Sequence, residues 1–238
     1  MVRRSGAFVA RAAGGHMTRI VLLAVALCGI TLAGTGCSAA RGAYYDAWEK
    51  AGYSKRERLV DNVKAARKEQ VQAKQQFATA LEEFKSVTHF QGGDLEALYN
   101  RINKQYEGCE SRAGAVKSKI QAVKNVGAKL FAEWTGEIAQ IKDDPALQQQ
   151  SQQLYDKTHR SYDQLVVRMD AAAATMDPVL VKFKNRVLFI KANLNAQAIA
   201  SLKGTELDLG GDIDRLIMEM EASIAEADAF IAQTHSEK

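Results

Sequence analysis

The residue types that most often carry chemistry are few in this chain and lie far apart. The four histidines are His16, His89, His159 and His235, and none has a partner at the spacing of a metal site. The chain contains no His-Glu-x-x-His, Glu-x-x-His or Cys-x-x-Cys pattern, and no glycine-rich phosphate loop followed by Lys-Ser or Lys-Thr. We therefore predict no catalytic residue, no metal site, no nucleotide and no cofactor, and expect that the protein is not an enzyme.

Of the three cysteines, Cys109 is a core candidate and Cys37 a candidate for modification, whereas Cys28 follows the large residue Leu27 and is a worse candidate for modification. Cys109 falls on an apolar heptad position, where a small buried side chain is more common than a reactive thiol. Cys37 directly follows the small residues 34–36, and this arrangement resembles the lipobox of bacterial lipoproteins, in which the cysteine is acylated. The alternative is an ordinary secretory signal that is cut nearby, with Cys37 lost or left free.

The residues before Cys37 have the composition of an export signal. An apolar run of 14 residues from Ile20 to Ala33 follows an arginine. It is too short to span a hydrocarbon layer of about 30 Å, but it suits the hydrophobic part of a signal peptide. We predict a lipoprotein-type signal over residues 1–36, with Met1 and Met17 both open as the start, and lipidation at Cys37. Ser38 rather than Asp follows the cysteine, which predicts the periplasmic face of the outer membrane.

The charge balance changes when this leader is removed. Residues 1–36 hold four arginines and no acidic residue, so the remaining chain has 28 basic and 28 acidic side chains. The calculated pI near 8.9 therefore belongs to the precursor. A neutral mature chain lacks the positive surface that nucleic-acid binding requires, and we predict no nucleic-acid partner.

Heptad repeats run through most of the remaining chain. With only two prolines, its composition favours helix almost everywhere. Core positions are predicted in a first stretch at Leu59, Val63, Ala66, Gln70, Ala73, Phe77, Ala80, Phe84 and Val87, and in a second at Ile102, Tyr106, Cys109, Ala113, Val116, Ile120, Val123, Gly127, Leu130, Trp134, Ile138 and Ile141. A third stretch uses Leu147, Leu154, Tyr162, Leu165 or Val166, Met169, Met176, Leu180, Phe183, Val187, Ile190 and Leu194, and a fourth uses Leu209, Ile213, Leu216 or Ile217, Met220, Ile224, Ala227 and Ile231.

Short breaks separate these stretches. Ser54 and Glu57 have capping-box spacing, which predicts the first helix start. Breaks are expected at residues 89–94, at Asp144 with Pro145, and at residues 203–205, and Pro178 predicts a new helix or a kink. The predicted fold is all-α, an elongated, antiparallel, coiled-coil-like bundle of four or five long helices. We assign residues 37–53 to an anchor and linker, and residues 54–235 to a single domain.

Charge predicts how the last two stretches pair and where a partner binds. Residues 179–203 contain five basic and no acidic side chains, whereas residues 205–238 contain nine acids. The predicted partner-binding residues combine this charge with three amides, and they are Lys182, Lys184, Arg186, Lys191, Asn193, Asn195 and Gln197. We expect the basic residues to meet the acidic stretch of the same chain first and a homodimer second, with another envelope protein or anionic lipid headgroups as further alternatives.

Four segments carry a resemblance to a known family. They are YYDAWEKAGYSKRERLVDNV (44–63), QFATALEEFKSV (76–87) with FQGGDLEALYN (90–100), MDPVLVKFKNRVLFIKANLNAQAIASL (176–202) and DIDRLIMEMEASIAEADAFI (212–231). Together these segments resemble the bacterial DUF2959 family of uncharacterised, helical, often lipoprotein-like envelope proteins. The resemblance implies a helical fold and an envelope location, and it brings no catalytic residues.

The sequence leaves four classes of protein function open, and we rank them in order of preference. The first is a non-enzymatic, membrane-anchored scaffold or adaptor whose long helices present a partner-binding surface. The alternative is a bundle that binds a small ligand or lipid in a cavity near Phe183, Phe189 and Trp134. An apolar cavity of about 300 Å³ or more would favour that alternative. An enzyme with an unrecognised site and a cytoplasmic coiled coil with an uncleaved leader rank lower.

Overall fold

The computed structural model describes the backbone of residues 36–89 and 92–236, with side chains for residues 55–89, 92–195 and 197–234. All regular structure in these ranges is helical: α1 (Gly36–Thr88), α2 (Leu95–Ile138), α3 (Pro145–Ala192), α4 (Ala196–Ser201) and α5 (Lys203–Ser236). The predicted all-α bundle is therefore confirmed. The chain divides into two units between residues 51 and 52, and the bundle described below belongs to the second. None of the described helices is both long and apolar enough to cross a membrane.

The second unit is an antiparallel bundle in which α1, α2, α3 and α5 each pack against two neighbours. Polar pairs mark all four lines of contact: Glu83 with Arg101, Lys124 with Asp170, Ser161 with Gln233, and Arg67 with Asp228. Successive pairs show the antiparallel direction: Arg67 pairs with Asp228 but the later Lys74 pairs with the earlier Glu221, and Lys117 pairs with Asp177 but Lys124 pairs with Asp170. The 44 residues of α2 span about 66 Å at ~1.5 Å per residue, so the helices pack side by side over a long distance.

The heptad positions of the first two helices form the core as predicted. All nine predicted positions of α1 are at most 2% exposed, including the polar Gln70. Eleven of the twelve predicted positions of α2 are also buried, and only Ile141, which lies beyond the end of α2, is not. Because 4,3 spacing keeps side chains on one face of a helix, this face can be read directly from the sequence.

The α1–α2 and α2–α3 turns follow the predicted capping chemistry. Gly92 and Gly93 have φ angles of 144° and 129°, a region that side chains disfavour, and Asp94 then accepts hydrogen bonds from the backbone N–H groups of residues 96 and 97. At the next turn Asp144 accepts from the backbone N–H of Leu147, and Pro145 occupies the first turn of α3, where its missing N–H has no cost.

The predicted start of the first helix is wrong, and one of the two alternatives predicted at Pro178 is excluded. α1 begins at Gly36 and continues through Ser54, so Ser54 is not an N-cap and residues 37–53 are helical. α3 likewise continues through Pro178, and no new helix begins there. A proline inside a helix costs about 3 kcal/mol through a lost hydrogen bond and ring crowding. Burial of Val179 and Phe183 on the far side of the proline helps to offset that cost.

The ends of the third stretch also depart from the prediction. Leu147 and Leu194 are 51% and 43% exposed, so neither belongs to the core. α3 ends at Ala192, and the short helix α4 follows, burying Ile199 and Leu202 instead. The break before the last helix therefore falls at Leu202, the C-cap of α4, rather than at residues 203–205.

Two core positions in the second half of α5 lie one residue before the predicted ones. Ser223 is fully buried and Phe230 is 3% exposed, while Ile224 and Ile231 are only partly buried. Ser223 lies opposite Gln70 of α1, whose side-chain amide donates a hydrogen bond of 2.8 Å to the Ser223 hydroxyl. The buried amide of Gln70 therefore has a polar partner on the facing helix, which hydrophobicity alone could not identify.

Candidate partner-binding surface

The predicted basic residues lie on two different sides of α3. Lys182 forms ion pairs with Asp208 and Asp212 of α5, and Arg186 approaches Asp208 at 3.9 Å between Nη2 and Oδ2. The hydrogen bond to Asp212 is the main cause that raises the pKa of the Lys182 ammonium above its ordinary value. These two residues thus meet the acidic stretch of the same chain, which was the first-ranked expectation.

The other two predicted lysines face α2 instead. Lys184 lines a groove between α2 and α3, and the Nζ of Lys191 lies 6.0 Å from the ring centroid of Tyr99. A helix places residues 182 and 184 about 200° apart around its axis, so both cannot reach α5. The four basic residues therefore do not form one patch.

The predicted amides act mainly as helix caps. Asn193 ends α3, and its Nδ2 donates to the carbonyl oxygen of Phe189 at 3.1 Å. Asn195 is the N-cap of α4, and its Oδ1 accepts from the backbone N–H of Ala198 at 2.8 Å. Gln197 is exposed on α4. Two of the three side chains bond to nearby backbone atoms and so contribute to the chain reversal between α3 and α5, and their role in partner binding stays a prediction.

The groove beside Lys184 is a feature that the sequence analysis missed. Its volume is about 400 Å³, it opens to solvent, and its lining residues are Tyr106, Glu110, Ala113, Gly114, Lys117, Asp177, Leu180, Val181 and Lys184. Gly114 leaves space here, since a Cβ added to it would contact nothing within 4 Å. The Nζ of Lys117 lies 2.5 Å from the Oδ1 of Asp177 at this wall. Adjacent small residues on α2, Ala113 and Gly114, were the available sequence signal.

Tyr106 connects this groove to the core. Its hydroxyl donates to the Oε1 of Glu110 at 2.9 Å, while its ring packs edge-on against the fully buried Phe183. Burial, followed by the hydrogen bond and the charge of Glu110, raises the pKa of Tyr106 to about 12. The phenol is therefore neutral at physiological pH and acts as a hydrogen-bond donor.

The three aromatic residues of the predicted cavity do not line a common one. Phe183 packs against Tyr106 and Phe84, whereas Trp134 belongs to a separate cluster with Phe131 and Tyr155. Phe189 is 38% exposed. The groove uses none of these three residues, so it is a different site from the one that the sequence predicted.

The remaining chemistry-bearing residues have structural surroundings. Burial raises the pKa of the Cys109 thiol to about 12, which keeps it protonated. His159 packs against the ring of Phe131 with 4.5 Å between centroids, and its Nδ1 lies 2.9 Å from Asp163. In the described part of the chain no three His, Cys, Asp or Glu side chains are grouped so that they could hold a metal ion. The side chains of Cys37 and His235, and all of residues 1–35, lie outside the described residues.

Comparison with known proteins identifies a family but no relative with an assigned activity. The family described as protein of unknown function DUF2959 matches residues 44–234, which is most of the chain. No curated protein and no solved structure matches the chain.

Proposed function

The chain belongs to the DUF2959 family, and from that premise we propose that it is a non-enzymatic periplasmic lipoprotein, anchored through Cys37, whose bundle serves as a scaffold in the cell envelope. The observation that carries the proposal is the packing of α1, α2, α3 and α5 along one long apolar core. Long helices that bury a regular core make a rigid spacer, and rigidity is what a scaffold requires. A membrane anchor at one end of the mature chain would hold that spacer at the envelope.

The composition of the core favours a structural role over a catalytic one. In the described residues the buried polar side chains are Gln70, Thr88, Thr158 and Ser223, and none of them titrates near neutral pH. Enzymes usually place ionisable groups with shifted pKa values in a cleft. The groove holds such a group, Tyr106, but its raised pKa makes it a weaker acid and not a base that works near neutral pH.

Lipidation is tested by labelling cells with a clickable palmitate analogue. We expect label in the wild type and in Cys28→Ala, which keeps the candidate lipobox, but none in Cys37→Ala. Cys37→Ala should also leave the membrane fraction. Equal labelling of Cys37→Ala and the wild type, or no label in any of the three proteins, would contradict the anchor.

The predicted outer-membrane location has its own test. Ser38→Asp should move the labelled protein toward the inner membrane in a density gradient, because an acidic residue after the lipidated cysteine is the enteric signal for retention there. An unchanged distribution would show that position 38 does not decide the destination.

The groove of about 400 Å³ keeps a second candidate function in view, the binding of a small ligand. Its volume lies within the range of ligand sites, but four of its nine lining residues are charged and it is open to solvent. Charged walls suit an apolar lipid tail poorly, and a groove open to solvent leaves a polar ligand in contact with water, so we rank this function second.

Gly114→Leu separates the two functions, because its side chain would enter the open groove. A scaffold predicts that neither the wild type nor Gly114→Leu carries a bound small molecule in its native mass spectrum. A non-covalent ligand that is present on the wild type and absent from Gly114→Leu would favour the binding function. Gly136→Leu on the same helix is the matched control, since it also has open space but lies outside the groove.

A further inference from the structure

The outermost row of α3 is apolar, whereas the corresponding rows of α1 and α2 are polar apart from one alanine. It lies five residues after each of the core residues Tyr162, Met169, Met176 and Phe183, and consists of Val167, Ala174, Val181 and Leu188. The three larger side chains are 66%, 59% and 49% exposed. The same offset from the core gives Lys68, Gln75, Glu82 and His89 on α1, and Ser111, Ser118, Asn125 and Ala132 on α2.

Single exposed apolar side chains are ordinary, but a row that repeats every seven residues is the pattern by which one helix packs on another. In the described part of the chain no other helix covers this row, because α3 packs against α2 and α5 on its inner side. The row therefore presents a seam for a helix from another molecule.

The charges beside this row repeat every seven residues as well and change sign in the middle. Asp163, Asp170 and Asp177 lie on the N-terminal half of the flank, and Lys184 and Lys191 lie on the C-terminal half. Asp170 and Asp177 also pair with Lys124 and Lys117 of α2, but their side chains remain 48% and 64% exposed. A carboxylate with free lone pairs can accept a second cation.

We propose that this face of α3 binds the same face of a second copy of the chain, with the two α3 helices antiparallel about a two-fold axis at Val181. Each Val181 then contacts the partner's Val181, and each Ala174 lies opposite the partner's Leu188. A two-fold axis keeps the same flank of both helices on one side. Asp177 therefore meets the partner's Lys184, and Asp170 meets the partner's Lys191.

The charge pattern selects this arrangement over a parallel one. In a parallel pair the two-fold axis would run along the helices and place the charged flank of each helix beside the uncharged flank of the other, so the aspartates and lysines would gain no partner of opposite charge. On the other flank of the row the antiparallel arrangement brings no like charges together, because the residues there are uncharged. They are Gln164, Ala171, Pro178, Asn185 and Ala192.

The position of the groove between α2 and α3 also supports a two-fold axis at Val181. Val181, Asp177 and Lys184 line it, so it lies beside the proposed axis. It offers room for the partner's Lys184 next to two carboxylates, those of Asp177 and Glu110. This interface stands independently of the scaffold function, since a ligand-binding bundle could use it equally well.

Cysteine cross-linking of the full chain tests the two-fold axis. The variants are Val181→Cys on the axis, Val167→Cys on the same row, and Met218→Cys, which replaces a residue that is 62% exposed on α5. The native cysteines are the same in all three. Oxidation should give a dimer band for Val181→Cys that is several-fold stronger than for the other two. Antiparallel packing separates the two copies of residue 167 by about 42 Å at ~1.5 Å per residue.

Each other outcome overturns the proposal in a distinct way. Equal cross-linking of Val181→Cys and Val167→Cys would show parallel packing. A Val181→Cys signal no stronger than that of Met218→Cys would show that a second copy does not cover this face.

In the Val181→Cys background, Asp177→Lys should weaken the dimer band and Asp177→Lys with Lys184→Asp should restore it. Failure of the double exchange to restore a weakened band, at an unchanged melting temperature, would refute the proposed charge pairs.

Discussion

Among the described glycines, Gly127 is the one at which an added Cβ would be most crowded. A Cβ built on it would lie 2.4 Å from the Tyr162 ring, whose hydroxyl points to the backbone carbonyl of Lys124 at 3.5 Å. The ring fills the space that a side chain would need, and it is itself surrounded by Phe131 and His159. Close approach of α2 and α3 at this level therefore depends on the absence of a side chain.

We predict that Gly127→Ala destabilises the protein by about 1–3 kcal/mol, the usual cost of overpacking a core. Gly114→Ala is the matched control on the same helix, because its Cβ would meet open space. It should stabilise the protein by about 0.5–1 kcal/mol through helix propensity. Urea unfolding followed by circular dichroism measures both, and equal effects of the two substitutions would contradict the described contact.

Tyr106 predicts how stability responds to alkaline pH. Its folded pKa of about 12 exceeds the ordinary value of 10.0, so folding favours the neutral phenol. The resulting stability is complete below pH 10 and is lost as the pH rises toward 12, because the unfolded chain releases the proton first. The urea midpoint of the wild type should therefore fall more steeply between these pH values than that of Tyr106→Phe. Parallel curves for the two proteins would show that Tyr106 is not responsible.

Between α3 and α5, charge pairs accompany an apolar seam that sets the register. Lys182 lies between Asp208 and Asp212, and Arg186 lies beside Asp208. Such exposed pairs contribute less than about 1 kcal/mol each and weaken with added salt. The fully buried Leu216 and Met220 of α5 contribute more through apolar burial.

Reversal of charge at Lys182 should lower the melting temperature by a few degrees at low salt and by less at high salt. Lys182→Glu adds a third negative charge beside Asp208 and Asp212, and this repulsion is screened by ions. Lys129→Glu is the control, because Lys129 is exposed on α2 and has no ion pair among the described side chains. Melting curves at two salt concentrations test this, and equal effects at both positions would contradict the pairing.

Helices and their core faces could be predicted because they depend on local spacing, whereas contacts between helices could not. The heptads of α1 and α2 identified most of their buried residues but missed Val60, Leu81 and Thr88 of α1 and Leu98 and Phe131 of α2. Ser223 was missed because its burial depends on Gln70, which is 153 positions away in the chain. The direction of Lys184 was missed for a related reason, since charge composition does not say which side of a helix a residue occupies.

The groove and the outer row of α3 show what a search for core positions overlooks. Both depend on residues outside the heptad core, namely the small side chains at positions 113 and 114 and the apolar residues from Val167 to Leu188. Their spacing was readable in the sequence. Their exposure depends on which side of α3 its neighbouring helices occupy, and the spacing of residues in the sequence does not give that side.

At the scale of the whole molecule, we propose a rigid helical scaffold that an acylated Cys37 holds at a membrane. Intact native mass spectrometry of the full protein, extracted from bacterial membranes, tests both the anchor and the absence of a ligand. We expect chains that begin at Cys37, carry added acyl mass and retain no other small molecule. A chain of the full 26.1 kDa precursor mass without acyl groups, or a mature chain that holds a non-covalent ligand, would contradict it.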